Sequence, residues 1–255
     1  MIQYVTQETL PSLFSFCQGD PFGCKIASLA RAYGLETTFA GFWLQKNISQ
    51  TITAALVKLE HAAVLSVKEG ADWEEIETFL PFTGVHIVLY SPEEIRFSSF
   101  SKSSSGMIMQ WNGEKRYIDP LIPFTPNPSL REVHALLCTC DKDGFHPPPF
   151  EAFYVDMSHR IRHHCARGIG FFQKNSLCSY AGTVAEMNDS AVLGTVATHP
   201  AVQRKGFGSL TVSVLTQKLV EEGKQVFLFR SLEENDHFYQ RLGFSDIGKW
   251  EESLV

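Results

Sequence analysis

The chain has 255 residues, and at roughly 100–200 residues per domain that makes one large domain or two small ones. Hydrophobic residues at 44% and charged residues at 20% are globular values and exclude a wholly disordered or collagen-like chain. A formal charge of -6 argues against a general binder of nucleic acid or anionic membrane. No apolar run approaches the roughly 18 residues of a membrane-spanning helix.

In chain order, residues 22–33 have helical spacing, and residues 39–46, 52–59 and 61–67 alternate as strands. Asp72 followed by Glu75 is a capping-box variant. It opens a helix in which Trp73, Ile76, Phe79 and Leu80 share one face, and Pro81 ends it. Residues 85–90 are a short apolar strand. Between Ser98 and Ser105 six of eight residues are serine, which predicts a flexible loop or link. A second break holds Pro120, Pro123, Pro126 and Pro128, with candidate strands at 107–111 and 116–118 between the two. Helical spacing follows at Leu130, Val133, Leu136 and Leu137, then a turn cluster over 143–149, then a helix over 151–165. Residues 168–173, 177–187 and 191–199 read as strands, with Asn188-Asp189 as a tight hairpin turn. Residues 209–222 are a helix ended by Gly223, 225–230 a buried strand, 234–242 a short helix and 245–252 a last strand. No internal sequence repeat is visible.

The start of the chain lacks the basic and apolar regions of a secretory signal, so a cytoplasmic location is expected. The six cysteines, Cys17, Cys24, Cys138, Cys140, Cys165 and Cys178, then read as reduced thiols. Cys138, Cys140, His146, His163, His164 and Cys165 match no standard zinc spacing, so no metal is expected.

Chemistry concentrates after the strand at 191–199. Gln203-Arg204-Lys205-Gly206-Phe207-Gly208-Ser209 is a basic, glycine-bearing loop that runs into a helix. The first amide N–H groups of a helix lack partners and carry partial positive charge, so such a junction suits an anion. It is not a P-loop, because Lys205 precedes Gly206 instead of following the second glycine. It is not the dinucleotide fingerprint either: Thr211 stands where the third small residue belongs, and the next strand ends Phe229-Arg230-Ser231 with no acidic residue.

The loop does match Q/R-x-x-G-x-G/A. One strand further on comes Asn235, with Tyr239 four residues later and Gly243-Phe244 closing the helix. In this order, on a strand–loop–helix–strand–helix frame, the two motifs resemble the signatures of the GCN5-related N-acetyltransferase (GNAT) family. The resemblance covers roughly residues 129–255. It implies an α/β (α+β) fold: a mixed, mostly antiparallel sheet of the GNAT acyl-CoA N-acyltransferase type with flanking helices. Before it comes a smaller N-terminal α/β domain at 1–105 and a linker with a first strand at 106–128. Residues 1–100 carry no such loop, and a degenerate GNAT-like unit over 1–105 is left open.

By this resemblance the chain is an acyl-CoA-dependent N-acetyltransferase that uses acetyl-CoA as co-substrate, at one site per chain. Backbone amides of Gln203, Arg204, Lys205, Gly206, Phe207, Gly208 and Ser209 would hold the pyrophosphate. The strand edge at Val196 and Ala197 would pair with the pantetheine arm. Asn235 would bond near that arm and Phe238 would line its path. Tyr239 occupies the position of the family's general acid, where a phenol can protonate the leaving thiolate. The base is left open among Glu186, His199 and Ser179, Glu186 being read as solvent-exposed beside the hairpin turn. Arg160, Arg162, His163, His164 and Arg167 read as a basic, solvated helix face. The implied partner is a small-molecule or peptide amine, without nucleic acid or membrane, and a homodimer is left open. The rival reading is a non-catalytic acyl-CoA sensor, which needs the same loop residues.

Overall fold

The computed structural model describes residues 1–94, 96–114, 122–141, 146–231 and 236–255. In chain order the elements are β1 (Ile2–Tyr4), α1 (Leu10–Phe16), α2 (Pro21–Tyr33), β2 (Ala40–Lys46), β3 (Ile52–Leu59), β4 (Ala62–Val67), α3 (Trp73–Phe79), β5 (Ile87–Tyr90) and β6 (Ser101–Trp111). There follow β7 (Phe124–Pro126), α4 (Leu130–Thr139), α5 (Phe150–Arg162), β8 (Gly168–Gln173), β9 (Ser176–Glu186), β10 (Ser190–Thr198), α6 (Phe207–Glu221), β11 (Gln225–Ser231), α7 (Asp236–Arg241) and β12 (Phe244–Leu254). They form two compact units. The first takes Met1–Met109, the end of β11 and Asp246–Val255; the second takes Gln110–Leu228 and residues 236–245.

In the first unit the strand order is β1-β2-β3-β4-β5-β12-β6. Strands β2, β3 and β4 pair antiparallel, α3 crosses over, and β5 returns parallel to β4 from Ala62↔Ile87 to Val64↔Leu89. Local chemistry fixes the helices. Pro21 sits at the start of α2, where its missing N–H costs nothing, and the Asp20 carboxylate accepts the N–H groups of Phe22 at 3.4 Å and Gly23 at 2.6 Å. The Asp72 carboxylate accepts the Glu75 N–H at 3.0 Å and starts α3, as the capping pattern predicts. Beyond Phe79 the chain tightens into a 3-10 turn, Leu80–Thr83, that accommodates Pro81. Ile76, Leu80, Leu56, Leu65, Val88 and Tyr90 form the core beneath.

The second unit repeats this plan. Its order is β11-β10-β9-β8-β7. Strands β8, β9 and β10 pair antiparallel, α6 crosses over, and β11 returns parallel to β10. Each unit is prefaced by a short strand and two helices, β1-α1-α2 in one and β7-α4-α5 in the other. Val212, Leu215 and Leu219 of α6 are fully buried, each contributing about 1.5–3 kcal/mol of hydrophobic stabilisation.

The last strand returns to the first unit: Glu251, Glu252, Ser253 and Leu254 pair antiparallel with Tyr90, Leu89, Val88 and Ile87. Consequently neither unit is one continuous stretch of chain.

Three sequence expectations need correction. The serine-rich stretch is not a loop throughout, because β6 begins at Ser101, where backbone pairing holds residues whose side chains add nothing to a core. The helix over 151–165 ends at Arg162; His163 caps it and His164 has φ +56°. The short elements β1, α1 and β7 were not predicted, since segments of three to seven residues carry too few periods to read. The candidate strand at 116–118 and residues 143–145 lie outside the described residues. Among the described residues no helix is long and apolar enough to cross a membrane, and no three His, Cys, Asp or Glu side chains are grouped to hold a metal ion.

Candidate functional site

Along β10 two register irregularities offset one another. Val184 has no partner between Val192↔Ala185 and Leu193↔Thr183, and Gly194 has none between Leu193↔Thr183 and Thr195↔Gly182. Such bulges bend a strand and raise its twist. The parallel pairing with β11 runs from Ser190↔Gln225 to Leu193↔Leu228 and ends at that bend. From Thr195 to Thr198, β10 keeps β9 on one side and, among the described residues, has no strand paired on the other. Gly194 is exposed, Thr195 and Val196 are half-buried, and Ala197 is buried.

Past Thr198 the chain makes a 3-10 turn, Pro200–Val202, which the His199 ring caps by accepting the Ala201 N–H at Nδ1, 3.2 Å away. The Gln203 side-chain amide donates back to the Thr198 carbonyl at 3.0 Å, and Lys205 Nζ donates to the Ala201 carbonyl at 3.3 Å. Arg204 at φ +62° and Gly206 at φ +87° are both left-handed. Such alternations turn successive N–H groups toward one side and form anion-binding concavities. Gly206 is the N-cap of α6, and no side chain caps this helix. The first helical bond in the loop is from Leu210 N–H to the Gly206 carbonyl, so the amides of Phe207, Gly208 and Ser209 precede the helix's own ladder.

Buried hydroxyls support the loop from below. Thr211 Oγ1 donates to Ser179 Oγ at 3.0 Å, Ser179 Oγ lies 3.0 Å from Thr198 Oγ1, and Ser179 Oγ also donates to the Ala197 carbonyl at 3.3 Å. This chain ties α6, β9 and β10 together. A Cβ on Gly208 would stand 2.8 Å from Thr198 Oγ1 and 3.8 Å from the Phe238 ring. The Phe207 ring stacks on Phe171 at 4.8 Å. Hence the fold brings Gln203 to Ser209 together with Val196, Ala197 and Phe238. Half-buried Tyr239 follows, its ring 4.9 Å from Phe238 and 6.1 Å from Phe244. Asn235 lies outside the described residues. Sequence reasoning missed Phe171, Thr198 and Thr211. Thr211 was visible only as the residue that broke the dinucleotide pattern.

None of the three candidate bases stands free. Ser179 is fully buried in the hydroxyl chain, and His199 Nδ1 is occupied by the turn. Glu186 is not solvent-exposed as expected; it is 1% exposed. Arg167 Nη2 donates to it at 2.7 Å and Lys224 Nζ at 3.0 Å, while Thr183 Oγ1 donates at 2.6 Å. The basic helix face is corrected by the same contacts. Arg167 is held between Glu186 and Glu222, and Arg160 bonds Asp156 and the Val184 carbonyl.

In the first unit the equivalent junction, from β4 into α3, is closed to an anion. Asp72 caps α3, Glu74 and Glu75 fill its first turn, and Glu75 also pairs with the N-terminal ammonium at 3.0 Å.

Residues 168–255 match the family described as FR47-like protein. No curated protein matches the chain in sequence. Solved structures match its whole length. A protein described as a tandem GNAT protein from the clavulanic acid biosynthesis pathway is 11% identical, with TM-score 0.61 over 100% of this chain and 98% of the other. A GCN5-related N-acetyltransferase from Sphaerobacter thermophilus is 14% identical, with TM-score 0.60 over 100% and 95%. A GNAT-family acetyltransferase from Colwellia psychrerythraea is 11% identical, with TM-score 0.58 over 100% and 98%. Identities this low speak for fold, and together with the FR47-like match over residues 168–255 they support a GNAT-type domain in the C-terminal half of the chain.

Proposed function

We propose that the second unit binds acetyl-CoA and transfers its acyl group to an amine of a small molecule or peptide. The observation that carries this reading is the uncapped start of α6, preceded by left-handed Arg204 and Gly206 and set beside the edge of β10 that pairing with β11 leaves open. These features fit the two ends of the molecule. The N–H groups of residues 203–209, with Arg204 and Lys205 adjacent, would take the pyrophosphate, as helix starts and backbone concavities do. The edge at Val196 and Ala197 would take the amides of the arm as an added strand, and Phe238 would line its path. Bound acetyl-CoA supplies a thioester. Tyr239 would hold a proton on its phenol oxygen and release it to the departing sulfur. The first unit, with carboxylates over its own helix start, would bind none, so one site per chain is expected.

The sensor reading has one observation in its favour: Glu186, Ser179 and His199 are each committed elsewhere, so an amine would have to arrive neutral or lose its proton to water. Calorimetric titration with acetyl-CoA tests binding. Wild type is expected to bind, and Gly206→Asp, which sets a carboxylate at a left-handed position beside the anion, is expected to lose binding while folded. Absence of binding in the wild type would sink the reading. Turnover on a panel of amines separates enzyme from sensor.

A further inference from the structure

Helix α4 carries a second chemistry on the side facing solvent. Of the six cysteines, Cys17, Cys24, Cys165 and Cys178 are buried, Cys140 is half-buried, and only Cys138 is exposed. Cys140 is engaged, its Sγ donating to the Thr198 carbonyl at 3.6 Å. Cys138 Sγ lies 3.6 Å from Nδ1 of His134, one turn earlier on the same helix. His134 Nε2 lies 2.8 Å from the Pro148 carbonyl oxygen. A carbonyl can only accept, so Nε2 carries the proton; in the neutral ring Nδ1 is then the acceptor, and the thiol donates to it. The ring is held in that orientation by Phe150 at 5.3 Å and Phe153 at 5.5 Å. A thiol on an imidazole, with the imidazole fixed by a third group, is the arrangement that makes a sulfur nucleophilic.

We propose that Cys138 and His134 form a nucleophilic thiol–imidazole pair that takes up a low-molecular-weight thiol as a mixed disulfide. His134 Nδ1 accepts the proton of Cys138. The thiolate attacks one sulfur of R–S–S–R, the S–S bond of that reagent breaks, and Cys138–S–S–R forms. The departing R–S⁻ takes the proton from the imidazolium. Cys138 sulfur is oxidised and the departing sulfur reduced, so no further oxidant is needed. Several charges surround the pair. Arg131 lies over the Phe150 ring at 5.3 Å. The C-terminal dipole of α4 and the Asp141 carboxylate, which His146 meets at 2.8 Å, oppose the thiolate. The imidazole is the group that meets the sulfur directly, at 3.6 Å.

The test treats the full chain, as wild type, His134→Gln and Cys138→Ser, with oxidised glutathione across pH 6–9 and locates the adduct by peptide mass mapping. The expected result is a first adduct on Cys138, formed near pH 6.5 about tenfold faster in wild type than in His134→Gln, whose rate should climb with an ordinary thiol. A first adduct on another cysteine, or matching pH–rate profiles for wild type and His134→Gln, overturns the proposal. Acetyl-CoA binding plays no part in this readout.

Discussion

A methyl group at position 208 would press on Thr198 Oγ1, which the Ser179 hydroxyl already holds in place. This is why the loop needs glycine twice, at 206 for its left-handed backbone and at 208 for close approach. The residues of that loop were legible from sequence, because a short contiguous motif states both needs. Tyr239 comes from the second motif of the same resemblance, and its proposed role can be tested alone. Tyr239→Phe keeps the ring between Phe238 and Phe244 and removes the phenolic hydroxyl. Steady-state kinetics should show kcat lowered about 10²–10⁴-fold, the range of a lost general acid, with KM for acetyl-CoA nearly unchanged. An unaltered kcat would make the phenol a packing group. Glu186 was misread because its partners Arg167 and Lys224 lie far from it in sequence, and no local pattern announces a buried carboxylate.

Between elements, Arg167 does the joining in the second unit. It precedes β8 and reaches Glu186 at the end of β9 and Glu222 just past α6, while Lys224 ahead of β11 closes the group. Arg167→Ala would leave Glu186 buried with Lys224 as its remaining cation, and should cost about 3 kcal/mol in chemical denaturation. The same network sets an acid limb. The hydrogen bond from Arg167 holds the Glu222 carboxyl below its usual range, with the Arg167 and Lys224 charges adding to it. A carboxyl depressed in the fold contributes stability above its unfolded value of about 4.3 and loses it as pH falls further. Wild-type stability should therefore decline below that pH, and Arg167→Ala should flatten the decline. A parallel decline in both proteins would remove Glu222 from the account. The long, periodic elements α2, α6, β3 and β8 were readable from sequence. Strand β6 was readable only at 107–111: its serines look like a linker, and their order comes from neighbours that are remote in sequence, as in the bond from Ser104 Oγ to Glu252 at 2.7 Å.

At the scale of the molecule, the doubled plan of β1-α1-α2-β2-β3-β4-α3-β5 and β7-α4-α5-β8-β9-β10-α6-β11 left no trace as a sequence repeat. Topology tolerates replacement of nearly every side chain as long as polarity keeps its period. The placement of β12 was equally hidden, because strand pairing is not written in either strand alone. Its attachment is firm. Tyr90 Oη donates to Glu251 at 2.6 Å, and burial together with that carboxylate pushes the phenol up to about 12, so the donor persists well above neutrality. Removing residues 246–255 should expose the amides of β5 first. Hydrogen exchange is expected to rise at Ile87–Tyr90 before it rises in β8 or β9. Equal loss of protection in both units would show that they open together.

The position of β12 also bears on how the chain is made. Ribosomes release a chain from its N-terminus, and domains generally fold in that order. Here the first unit to emerge lacks β12, which is translated after the helices and the other strands of the second unit. The edge of β5 must wait, unpaired and open to other chains, until Glu251 to Leu254 leave the exit tunnel. The second unit, though later in sequence, needs only the start of that strand, up to Ser245. The first unit is thus completed only after the second has been made.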